Sequence, residues 1–69
     1  MKEIVFEVVQ ESDGGFCAEA LGENIFTQAD SWEELKANAQ EAVHAYYFDS
    51  PALASIRLRL VRDEVLAVA

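Results

Sequence analysis

The sequence predicts a single-domain α+β protein in which one mixed β-sheet carries one helix on one face. Two observations carry that prediction. Four segments read as strands, from residue type, period-two faces and flanking turns, and one segment repeats apolar residues at helical spacing behind a helix-capping signal. The 69 residues are enough for one domain and not for two.

Residues 3–10 are rich in β-branched and aromatic types, with Ile4, Phe6 and Val8 on one face and Val5, Glu7 and Val9 on the other. Glu11-Ser12-Asp13-Gly14-Gly15 follows as a turn, because Asp-Gly and Gly-Gly adopt positive φ at low cost. Phe16 to Leu21 is the second strand, placing Phe16, Ala18 and Ala20 opposite to Cys17, Glu19 and Leu21. After the turn Gly22-Glu23-Asn24, Ile25 to Gln28 completes an antiparallel meander.

Asp30-Ser31-Trp32-Glu33-Glu34 fits a capping box, with Ser31 as N-cap and Glu34 three residues later. Glu33 and Glu34 also suit the positive end of the helix dipole. Trp32, Leu35, Ala39, Ala42, Val43 and Tyr46 form one helical stripe, which predicts a helix ending near Phe48-Asp49, with Ser50-Pro51 enforcing the stop. Ser55 to Val61 alternates again, Ile56, Leu58 and Leu60 against Arg57 and Arg59. Val65–Val68 reads either as a further strand or as an extended tail.

The order is therefore β-β-β-α-β. A right-handed crossover through the helix brings the last strand parallel to the first, giving sheet order 3-2-1-4. One sheet face then lies under the helix. The other carries Val5, Glu7, Val9, Cys17, Glu19, Leu21, Phe26, Arg57 and Arg59, a half-apolar surface with charges of both signs and the candidate interface. Of the rings Tyr46-Tyr47-Phe48, one or two are assigned to the core, and Tyr47 is kept as an oligomer contact. If the outer face joins copies of the chain, Phe26→Asp dissociates them; interfaces through strand edges or helix ends fit the sequence equally.

Composition narrows the function. The net charge is −8, and it is uneven. Residues 1–49 hold eleven acids against Lys2 and Lys36, a balance of −9, whereas residues 50–69 hold Asp63 and Glu64 against Arg57, Arg59 and Arg62, a balance of +1. That charge opposes direct nucleic-acid binding, which depends on neutralising phosphates. It suits a basic protein partner. Cys17 and His44 are the only thiol and imidazole, which excludes an intrachain disulfide and a tetrahedral zinc site. Cys17 is read as a strand residue of structural use, His44 as a solvated helix residue, and the acids as scattered over turns and outer faces. No catalytic residue, metal or cofactor is expected. No run approaches the ~18 apolar residues of a membrane span, no signal peptide is evident, and a lone thiol suits the cytoplasm. A compact chain of this mass exposes roughly 4,300 Å², and so thin a core predicts self-association as a homodimer or tetramer.

Three stretches carry a family resemblance: Asp13-Gly14-Gly15-Phe16-Cys17-Ala18-Glu19-Ala20, Thr27-Gln28-Ala29-Asp30-Ser31-Trp32-Glu33-Glu34 and Asn38-Ala39-Gln40-Glu41-Ala42. In order and spacing they resemble the HicB-like antitoxin family over most of residues 4–48. The resemblance implies a partial ribonuclease-H-like fold without nuclease activity, and a partner that is a small basic ribonuclease toxin of HicA type. Many members add a C-terminal DNA-binding domain. This chain ends at Ala69 without room for one, so a stand-alone domain is expected, with a self-assembling or ligand-binding protein lacking a toxin partner as the alternative.

Overall fold

The computed structural model describes residues 2–47 and 54–68. Its elements are β1 (Lys2–Gln10), β2 (Phe16–Ala20), β3 (Phe26–Ala29), α1 (Trp32–Tyr46) and β4 (Ala54–Val61). The four strands form one sheet in the order β3-β2-β1-β4. β1 pairs antiparallel with β2 and parallel with β4. The architecture is the mixed-sheet α+β arrangement expected from the alternation pattern.

Register follows from burial. Ile4, Phe6 and Val8 are buried, and facing them across the sheet stand Ala20, Ala18, Ile56, Leu58 and Leu60. Leu35, Ala39 and Val43 of α1 close the core from above, with Ile25 at the β2–β3 turn. A slip of one residue in any strand would turn this set outward, so the core itself fixes the pairing. Full burial of each large side chain here contributes about 1.5–3 kcal/mol.

Local chemistry sets the boundaries. In the β1–β2 turn the Gly14 N–H donates to the Glu11 carbonyl at 2.9 Å and the Gly15 N–H to Asp13 Oδ1 at 3.0 Å. Gly14 has φ of 95°, a conformation that strains any residue with a Cβ. At the helix start Ser31 is extended (φ −137°, ψ 161°) and its Oγ accepts from the Glu34 N–H at 3.1 Å. The forward half of the capping box is thus formed. Among the described residues the return bond from Glu34 is not made; its side chain lines a groove instead. Ser31→Ala should cost about 1 kcal/mol, lowering the thermal midpoint by roughly 4–8 °C in so small a domain. A midpoint unchanged within a degree in calorimetry would show that the cap contributes nothing.

The two tyrosines exchange their expected places. Tyr47, the C-cap, leaves the helical path (φ −112°, ψ 30°) and packs half-buried against the core. Tyr46 is the exposed ring, in edge contact with Tyr47 at 4.9 Å between centroids. The stripe loses its last member at the helix end, where Tyr47 takes the place against the core. The expected stop at Ser50-Pro51 lies outside the described residues.

The helix is not centred on the sheet. It packs mainly over β3, and Asn38 Nδ2 donates to the Gln28 carbonyl of that strand at 3.0 Å. Trp32 closes the same end, edge-on to Phe16 at 5.5 Å. β4 receives little helix cover, which leaves Leu60 exposed although it points to the core side.

Candidate functional site

The sheet face away from the helix is the larger of two surfaces that bear on function. Cross-strand register places its residues in rows. One row reads Phe26, Glu19, Glu7 and Arg59 across β3, β2, β1 and β4. The next reads Gln28, Cys17, Val9 and Val61. Val5 stands beside Arg57. Seven of the eight residues expected at an interface, Val5, Glu7, Val9, Glu19, Phe26, Arg57 and Arg59, do share this face. Tyr47 does not.

Phe26 is 60% exposed, and Val9 and Leu21 about half exposed. Three large apolar side chains in water on one open sheet face exceed what single scattered residues need. Between them stand two carboxylates, Glu7 and Glu19, directly opposite each other. Like charges in that position oppose folding by a few tenths of a kcal/mol or more.

Among the described residues the face has one clear ion pair. Arg57 grips Glu3 with both arms, Nε to Oε1 at 3.2 Å and Nη2 to Oε2 at 3.0 Å. The bonds from Arg57 hold the Glu3 carboxyl below its ordinary value of 4.5. A carboxylate with a depressed folded-state value stabilises above its unfolded value, and that contribution is lost as pH falls through the lowered one. Both side chains are solvated, so the effect is small.

The second surface lies at the β1–β2 turn. Glu11, Asp13, Asp30 and Glu34 converge with Phe16 and Cys17 around an open groove of about 550 Å³. These acids come from two turns and the first helical turn, so they are not scattered as the sequence suggested. No three His, Cys, Asp or Glu side chains among the described residues are grouped to hold a metal ion. The only signal in sequence was the density of acids beside each turn.

Cys17 belongs to both surfaces. It is half-buried, and its thiol donates to Glu11 Oε1 at 2.6 Å. That bond, with burial and the charges of Glu11 and Asp13, raises the thiol's pKa. A raised value means less thiolate at any given pH and a slower nucleophile. Glu11→Gln should therefore speed alkylation of Cys17 by iodoacetamide at pH 8 severalfold. Equal rates in the two proteins would show that the contact does not control the thiol.

Fold and surface together define a small α+β domain with one face under a helix and the other open, half-apolar and bearing charges of both signs. The chain is 42% identical over 67 residues to a UPF0150 protein of Thermotoga maritima, covering 97% of this chain and 94% of the relative. A UPF0150 protein of Archaeoglobus fulgidus is 49% identical over 43 residues, 62% of this chain and 65% of that one. The chain belongs to the UPF0150 family. No family model matches it, and no solved structure matches it significantly. No helix among the described residues is long and apolar enough to cross a membrane.

Proposed function

We propose that this chain is a non-catalytic binding module that takes a small basic protein on its open sheet face, as a HicB-like antitoxin masks a HicA-type ribonuclease. The observation that carries the reading is the row Phe26-Glu19-Glu7-Arg59, an exposed aromatic ring beside two facing carboxylates, the second of which has Arg59 on its other side. Arg59 neighbours Glu7 and not Glu19, so the repulsion between the two carboxylates is answered from one side only. A partner's Arg or Lys placed between the two carboxylates relieves that repulsion, and apolar contact with Phe26, Leu21 and Val9 supplies the affinity. The acidic groove at the β1–β2 turn extends the same electrostatic attraction past the sheet. The resemblance in residues 13–20, 27–34 and 38–42 supplies the partner class. Asn38 of the third stretch tethers the helix to β3, so part of that resemblance has a structural cause independent of any partner.

The lone thiol suits a reducing compartment, and we place the protein in the cytoplasm. Purification from the cells that make it tests the reading: a small basic protein should accompany it in equal amount and leave at high salt. A second reading, a stand-alone oligomer without a toxin partner, draws on the exposed apolar residues after β4. Recovery of self-oligomer alone would favour it.

A further inference from the structure

Residues 62–68 leave the sheet at the end of β4 and are all exposed; Arg62 and Asp63 still line a groove with the β1–β2 turn, and the residues beyond them line none of the grooves described. Among the described residues no backbone hydrogen bond holds them. Val65, Leu66 and Val68 are 96%, 74% and 99% exposed. The molecule as a whole is extended. The longest dimension is 56 Å against 21 and 17 Å, and the radius of gyration is 14.1 Å, where a compact chain of this length has about 11 Å. The accessible surface is 5363 Å², about 1,000 Å² more than a compact monomer of this mass exposes. A standard interface hides about 800 Å² on each partner.

The same molecule has an apolar surface of matching kind. Among the described residues β4 is bonded only to β1, so its other edge carries N–H and C=O groups with no strand beside them. The β3 edge, by contrast, is tied to the helix through Asn38. On the core side Leu60 is 47% exposed and Ile56 and Leu58 are half-buried, while their register partners Val8, Ile4 and Phe6 on β1 are fully buried.

We infer that residues 65–68 are an exchange arm, which pairs antiparallel with residues 58–61 on the free β4 edge of a second copy and covers its open core end. A two-fold axis normal to the sheet at Asp63 makes the contact isologous, with each arm on the other's β4. In that register Leu60 meets Leu66, Leu58 meets Val68 and Val61 meets Val65, and Arg62 meets Glu64 twice. Three of the four arm pairs set apolar on apolar, the fourth sets Arg59 beside the small Ala67, Arg62 and Glu64 pair opposite charges, and the two sheets join into one with both helices on the same side. Only Asp63, facing its own copy on the axis, is unfavourable. Folding back onto its own β4 would require a tight turn at Arg62-Asp63-Glu64, which contains none of the Gly or Asn that such turns use. The exposed edge and the exposed arm are thereby both removed from water.

The proposal does not depend on a toxin-like partner, and its readout is the mass of the protein alone. By light scattering at tens of micromolar, the full chain should be a dimer. Leu66→Asp should raise the dissociation constant at least 100-fold with unchanged circular dichroism. Phe26→Asp, on the other face, should leave the dimer intact. Asp63→Asn should tighten it severalfold. With Cys17→Ser, the pair Leu60→Cys and Leu66→Cys should oxidise to a covalent dimer on a non-reducing gel. A wild-type monomer, a dimeric Leu66→Asp protein or an intramolecular disulfide in the cysteine pair would each overturn the exchange. A dimer not tightened by Asp63→Asn would overturn the register.

Discussion

Phe6→Ala should lower the thermal midpoint by at least about 12 °C, the effect of a loss of about 3 kcal/mol in a domain of this size. Phe6 is fully buried (0% exposed) at the middle of β1, a central strand, between Ala20 of β2 and Leu58 of β4. Its neighbours are small or held by backbone pairing, so the space cannot close without moving a strand. Removing a buried Phe ring costs about 3–5 kcal/mol, and the whole stability of a 69-residue domain is roughly 3–10 kcal/mol. Phe26→Ala supplies the control within the same sheet. That ring is exposed, and its loss should change stability by no more than about 0.5 kcal/mol. A cooperative melt of Phe6→Ala within a few degrees of wild type would mean that the two sheet faces have been assigned the wrong way round.

Glu19→Lys should separate stability from binding. In the free protein the substitution replaces a like-charge pair with an opposite one, since Glu7 stands directly across from residue 19. A favourable cross-strand pair stabilises by about 0.2–1 kcal/mol, so the variant should melt no lower than wild type. Toward a basic partner the same change removes an attraction and adds a repulsion, and affinity should fall by about 10–100-fold, more at low salt than at high. Surface residues kept at a cost to folding are expected where function requires them. If Glu19→Lys both destabilises the protein and leaves partner binding intact, the two carboxylates serve the fold and not recognition.

Much of this architecture was legible from spacing alone, for a physical reason. Strand faces alternate with fixed period, so Ile4, Phe6 and Val8 announced the core, and Val5, Glu7 and Val9 the open face, before any pairing was known. The Ser31 cap was equally local: a hydroxyl and an amide three residues apart. What could not be read depends on how distant segments settle. The Glu3–Arg57 pair requires the parallel register of β1 and β4, which no turn fixes. The acidic groove joins Glu11 and Asp13 to Asp30 and Glu34 through the β2–β3 pairing. Tyr47 meets the core because it leaves the helical path at the C-cap, a place the helical stripe does not describe. The offset of the helix toward β3, which leaves Leu60 and the arm unpartnered, follows from packing and the Asn38 tether. None of these is a periodic feature of the chain.

The claim that the open face receives a basic protein is tested most directly by affinity purification of tagged wild-type and Glu19→Lys protein from the cells that produce it, in buffers of low and high ionic strength. The prediction is one small basic protein recovered with wild type in equimolar amount, released by salt and absent from Glu19→Lys. Wild type recovered only with copies of itself, or the same protein held equally by both, would contradict it.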